Sequence, residues 1–117
     1  MSFLEELKAL GANVDEGVAR IAGNEALYQK LLGSFLKTLD THYVPLDFDG
    51  NDYAGATDDA HAIKGTSGNL SITPLYEAYT EIVDLLRSDK PEEAREVLKN
   101  ILPVQEEIVQ CIKKHTA

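Results

Sequence analysis

The segment Ala60-His61-Ala62-Ile63-Lys64-Gly65-Thr66-Ser67-Gly68-Asn69-Leu70 places a potential nucleophile, a cation and two residues without side chains at helical spacing. Ala56, Ala60, Ile63, Ser67 and Leu70 recur at intervals of four, three, four and three, the period of a helix face turned toward a partner. At about 100° per residue this seam centres near Ile63 and Ala56, and His61 projects about 140° away from it, into solvent. Thr57, Lys64, Gly65 and Gly68 share that outer stripe. An exposed imidazole is largely neutral near pH 7 and nucleophilic, so the chemistry this pattern suits is acceptance of an electrophilic anion such as a phosphoryl group. Lys64, one turn along, can reach an anion held there. An exposed interaction of this kind is worth about 0.5 kcal/mol, so Lys64 is expected to modulate transfer and not to define it. Ser67 lies on the inner seam and is expected to bond within its own helix.

The two glycines carry a cost. Inside a helix each is about 0.8–1 kcal/mol worse than alanine, and what they supply in return is close approach of another surface to the helix backbone. The competing reading makes one of them a C-cap that ends the helix. The seam continues to Ser67 and Leu70, which argues against a stop at Gly65 and leaves both readings standing for Gly68.

These residues resemble the signature of the histidine-containing phosphotransfer (HPt) family, approximately His-x-Leu-Lys-Gly-x-Ser-x-x-Leu-Gly. His61, Ile63 in place of leucine, Lys64, Gly65, Ser67 and Leu70 fall into register with it. The likeness extends through Asn13-Val14-Asp15-Glu16, Gly23-Asn24-Glu25-Ala26-Leu27-Tyr28 and Leu31-Leu32-Gly33-Ser34-Phe35-Leu36, and to Asp52-Tyr53 where an acidic-aromatic pair often opens the histidine helix; it spans roughly residues 13 to 113. Ser71 departs from the glycine usual at that place, which bears on the local turn and not on the phosphoacceptor. The resemblance implies that His61 accepts a phosphoryl group from an aspartate of one receiver (response-regulator) domain and passes it to another. It also implies a hybrid sensor histidine kinase upstream. Receivers would dock on the face around Thr57, Gly65 and Gly68 and supply the magnesium and the catalytic groups. The chain itself is then a phosphoryl carrier, with no intrinsic cofactor and no autokinase activity.

Other chemistries fit less well. Lys64-Gly65-Thr66-Ser67-Gly68 has the letters of a phosphate-binding loop in the wrong order, and no strand precedes it. Asp47, Asp49, Asn51 and Asp52 have acidic spacing, but Gly50 is misplaced for a calcium loop and no glutamate closes the run; Asp52 reads more simply as an N-cap. Asp58 and Asp59 fan out too far from His61 on a helix to close a metal site. His42, after the end of a long helix, suits the helix dipole, and His115 lies near a terminus expected to fray. No Glu-x-x-His pair faces inward, as a metal-centred bundle enzyme requires. The remaining alternative is a helical docking module that binds or sequesters a signalling partner without being phosphorylated.

The composition is compatible with this. At 117 residues, with 44% hydrophobic and 26% charged residues, the chain is expected to form a single domain, residues 1–117, around one core. A net charge of −9 disfavours nucleic acid and anionic membranes as partners. No apolar run has the length of a membrane span and no signal peptide is evident. The single cysteine, Cys111, falls in an apolar pattern with Ile108 and Ile112 and reads as a core residue. A cytoplasmic monomer is expected, and the initiator methionine points to a free-standing protein.

The elements that must position His61 follow from periodicity. Ser2 to Glu5 has the form of a capping box opening a short helix with Phe3, Leu4, Leu7 and Leu10, and Asn13 to Ala22 predicts a second. Asn24 caps a long helix with Leu27, Tyr28, Leu31, Leu32, Phe35 and Leu39 inward, stopped by Val44-Pro45. The histidine helix spans about Asp52 to Leu70. Thr73-Pro74 opens the next as N-cap and first-turn proline, with Leu75, Ala78, Tyr79, Ile82, Leu85 and Leu86 inward. The last begins at Pro91 and carries Ala94, Val97, Leu98, Ile101, Ile108 and Ile112, with a kink or short break at Pro103. The expected fold is all-α: an antiparallel up-down four-helix bundle with the short N-terminal helices packed over one end.

Overall fold

The computed structural model describes residues 2–116. Six helices follow one another: α1 (Phe3–Ala9), α2 (Val14–Ala19), α3 (Glu25–Thr41), α4 (Ala54–Asn69), α5 (Thr73–Arg87) and α6 (Pro91–Thr116). No strand occurs among the described residues. At about 1.5 Å per residue α6 alone runs some 39 Å and sets the long axis of a molecule measuring 43 × 24 × 21 Å.

Side chains start the first three helices. Ser2, Asn13 and Asn24 each accept a hydrogen bond from the backbone N–H three residues on, at Glu5, Glu16 and Leu27, satisfying donors that the helix cannot. Two later starts differ from the sequence reading. Asp52 is not the cap of α4: Tyr53 holds that position and offers no side-chain cap bond, because its hydroxyl reaches across to Asp89 in the turn after α5. Likewise Ile72, not Thr73, caps α5. Ile72 is fully buried and its N–H is taken by the Ser67 carbonyl, so the turn closes one residue early.

The same terminator ends α1, α4 and α5. In each, a residue of positive φ (Gly11, Ser71, Asp89) lets two successive N–H groups fold back onto carbonyls of the last turn: Gly11 and Ala12 onto Lys8 and Leu7, Ser71 and Ile72 onto Gly68 and Ser67, Asp89 and Lys90 onto Leu86 and Leu85. This is the Schellman arrangement. α4 therefore runs through both Gly65 and Gly68 and stops at Leu70.

The inward stripes assemble one core. Tyr28, Leu32, Phe35 and Leu39 of α3 meet Ala60, Ile63 and Ser67 of α4, Leu75, Tyr79, Ile82, Val83 and Leu86 of α5, and Ala94, Leu98, Ile101, Ile108 and Ile112 of α6. The closest packing is α4 on α5 and α5 on α6. α3 runs antiparallel to α4: the Tyr28 hydroxyl donates to the Leu70 carbonyl at 2.7 Å near one end, and His42 meets Asp59 near the other. α2 lies over the end of this pair, where Gly17 permits contact with the Tyr28 ring and the Leu70 carbonyl; a Cβ there would stand 2.6 and 2.7 Å from them.

Three expectations are corrected, and one buried residue has no place in the sequence reading. Leu27 is exposed while Tyr28 beside it is buried, so the inward face of α3 begins at Tyr28. Gln105, with no place in an apolar pattern, is buried, where it accepts the Tyr79 hydroxyl. α6 is one helix through Pro103, which sits on an exposed face where water can take the carbonyl that proline leaves unpaired. His115 is not frayed: its ring stacks on Phe3 at 4.8 Å between centroids and bonds Glu6 of α1.

Candidate functional site

α4 is the barest helix of the molecule. Between Ala54 and Asn69 it carries three glycines and four alanines, and only its inner seam holds it: Ala60, Ile63 and Ser67 are buried, with the Ser67 hydroxyl donating to the Ile63 carbonyl at 2.7 Å within the helix. His61 is exposed and Lys64 half-buried. Apart from its own helix backbone, no described atom lies within 4 Å of a Cβ placed on Gly65. Ground beside His61 is thus open at Gly65, as the spacing predicts.

Gly68 differs. A Cβ there would lie 2.8 Å from the ring of Tyr76 on α5, so the space that Gly68 clears is filled from within the molecule. That contact also orients the whole stripe. Gly68 follows His61 by seven residues, which returns the helix to within about 20°, so His61 projects on the flank of α4 that α5 covers. Thr57 confirms the direction: with Arg87 of α5 it lines a shared cavity of about 500 Å³. Asp59, on the opposite flank, faces α3, where the His42 Nδ1–H donates to its carboxylate at 3.0 Å. His42 is the C-cap of α3 and joins α3 to α4, a structural part.

Tyr76 near the start of α5 meets Gly68 near the end of α4, and Arg87 at the end of α5 shares a cavity with Thr57 near the start of α4, so α5 folds back along α4. Lys64 follows His61 by one turn of α4, while Arg87 lines its cavity with Thr57, one turn before His61, and with the carboxylates Asp52, Asp58 and Asp89. Neither cation forms an ion pair among the described residues. In a chain of net charge −9, Lys64 is a cation one turn from an exposed imidazole, whereas carboxylates surround Arg87.

The structure brings Thr57, His61, Lys64 and Gly65 onto one accessible face and gives Gly68 a packing duty beside them. Arg87 and Tyr76 escaped the sequence reading. The signal that finds them is the register across the tight turn at Leu70–Ile72, which sets residues of α5 opposite those of α4 once the covered flank is known. Elsewhere, burial pushes the Cys111 thiol up and suits it to the core. The loop ahead of α4 is organised by protein groups: Asp49 accepts the Asn51 N–H at 2.8 Å, and Arg95, stacked 4.1 Å over the Phe48 ring, donates to the carbonyls of Leu46 and Phe48. No helix among the described residues is long and apolar enough to cross a membrane. Comparison with protein-family models, with curated proteins and with solved structures finds no match to this chain.

Proposed function

We propose that this protein is a histidine phosphotransfer carrier of a two-component phosphorelay, phosphorylated on His61 by one receiver domain and dephosphorylated by another. The observation that carries the reading is the exposed imidazole of His61 with Lys64, which forms no ion pair among the described residues, one turn along a helix left bare at Gly65. On this reading α3 to α6 form an antiparallel up-down four-helix bundle, a rigid rod whose task is to present one side chain. Transfer is a displacement at phosphorus. The unprotonated ring nitrogen of His61 supplies the electron pair for a new P–N bond, the P–O bond to the receiver aspartate breaks, and the aspartate leaves as a carboxylate. The other ring nitrogen keeps its proton. Charge on the phosphoryl oxygens is met in part by Lys64, while the receiver brings magnesium and the remaining catalytic groups. The reverse displacement loads the second receiver. No step calls for a nucleotide, and the chain acts as a cytoplasmic carrier, not as a kinase.

The test is phosphotransfer from a panel of phosphorylated receiver domains, with magnesium, to the native chain and to His61→Ala. Acid-labile, base-stable label on the native chain and none on the variant is the expected result. The variant should melt within about 1–2 °C of the native chain, since an exposed side chain contributes within about 0.5 kcal/mol. Measurable binding without label from any receiver would overturn the carrier reading in favour of an unphosphorylated docking module.

A further inference from the structure

We infer that Tyr76 of α5 is the anchor by which a receiver domain docks beside His61, and that Gly68 is present to seat it. The inference rests on the phosphotransfer reading above and assigns the partner's grip to the α4–α5 side of the histidine helix.

Among the described residues Tyr76 is one of four large hydrophobic residues left exposed, with Leu27, Tyr43 and Leu46. Leu27 stands at the start of α3 and the other two follow its end. Tyr43 lines a groove between α3 and α6, away from α4. Tyr76 alone of the four lies on the His61 stripe. Its ring edge rests on the backbone of α4 at Gly68, yet 41% of the residue stays exposed.

A ring held along one edge and partly exposed has little side-chain freedom left to lose when a partner covers it. Aromatic residues of this kind dominate binding energy at protein interfaces. The separation is also suitable: seven residues of helix put the ring about 10 Å along α4 from His61. A partner whose phosphoaspartate meets His61 therefore needs an apolar recess about 10 Å away to receive the ring. Lys64, one turn from His61, supplies charge complementarity for the phosphorylated end of that partner, and Tyr76 supplies the apolar end. The hydroxyl makes no hydrogen bond with the described residues, so the ring carries the contact.

The experiment uses a receiver that labels the native chain. Its Kd for the native chain, Tyr76→Ala, Tyr76→Phe and Leu27→Ala is measured by calorimetry, and the transfer rate is followed against chain concentration. Tyr76→Ala should raise Kd and the half-saturating concentration about tenfold, leaving the rate at saturation unchanged. Tyr76→Phe should bind as the native chain does, and Leu27→Ala, on α3, should change neither quantity. Unaltered circular dichroism in Tyr76→Ala excludes loss of fold as the cause. Native affinity and kinetics in Tyr76→Ala, or a loss produced by Leu27→Ala instead, would overturn the anchor while leaving phosphotransfer intact. Failure of every receiver to label the native chain would overturn the phosphotransfer reading and the anchor with it.

Discussion

Ser71 holds a backbone conformation that glycine adopts freely and serine does not, with φ at 56°. It ends α4 in the position where the Schellman arrangement favours glycine, the place at which the sequence departs from the HPt pattern. Two penalties follow. The left-handed conformation costs a non-glycine residue about 1–2 kcal/mol, and the serine hydroxyl is buried without a hydrogen-bond partner among the described residues, a further penalty of about 1–3 kcal/mol. What fixes the conformation is the pair of return bonds to Gly68 and Ser67 and the Ser71 carbonyl, which accepts the Asn13 N–H at 2.8 Å and so ties α2 to this turn. Ser71→Gly keeps every one of those backbone bonds. After allowance for the greater freedom of glycine in the unfolded chain, it should stabilise the protein by about 1 kcal/mol and raise Tm by about 3–5 °C. Ser71→Ala should recover only the part due to the hydroxyl. Thermal melts of the two variants separate the contributions, and a Ser71→Gly variant that melts at or below the native temperature would show that neither penalty is felt.

At the scale of elements, α1 is held to the molecule by a small set of contacts at the far end of α6. Phe3 and Leu7 are buried, Glu6 takes Lys114 Nζ at 2.9 Å and the His115 ring, and Phe3 stacks on that ring. The Lys114 bond, then that of His115, lowers the Glu6 carboxyl below its ordinary 4.5. Being lowered in the folded state, Glu6 stabilises the clasp at pH values above 4.5 and loses that contribution as pH falls through its depressed value. Hydrogen-exchange protection at Leu7 and Ala9 should therefore decline as pH falls below the ordinary 4.5 and through the depressed value, ahead of protection in α5 and α6. Glu6→Gln should show the weakened clasp already at pH 7. Protection in α1 that tracks α5 throughout would mean that this element opens only with the whole protein. None of this clasp was legible in the sequence. Periodicity identified α1 and its inward residues, but a pairing between residues 6 and 115 depends on where two chain ends meet in space. The helices themselves were legible, because their stripes of Leu, Ile and Ala at three- and four-residue spacing have one low-energy solution.

The whole molecule shows the same division between local pattern and tertiary register. His61, Lys64 and Gly65 were readable because a single helix fixes their relation. Arg87 and Tyr76 were not, since nothing in one helix says which flank its neighbour covers. The polar core was equally hidden: Tyr28 and Tyr79 fit an apolar stripe, yet each carries a hydroxyl that bonds across the interior, one to the Leu70 carbonyl and one to Gln105. These two bonds join α3 to α4 and α5 to α6, so the four long helices share a requirement that both phenols stay protonated. Burial pushes Tyr28 up to about 12 from an ordinary 10.0 and moves Tyr79 in the same direction. Above pH 10 the unfolded chain begins to release these protons while the folded chain keeps them, so the unfolded state binds fewer protons and stability falls as pH rises. For Tyr28 the fall runs from pH 10 to about 12 and then levels, with a slope of at most about 1.4 kcal/mol per pH unit for each such group. Urea unfolding at pH 8, 10 and 11 should show this loss. Tyr28→Phe should be less stable at pH 8 by about 1–3 kcal/mol, having stranded the Leu70 carbonyl, yet should lose less stability between pH 10 and 11 than the native chain. Repulsion within a chain of net charge −9 also grows in alkali, but it acts nearly equally on both proteins, so the difference in slope isolates the phenol. Equal slopes would show that Tyr28 ionises in the folded protein as readily as in the unfolded chain, and the buried bond to Leu70 would then not be what couples α3 to the histidine helix.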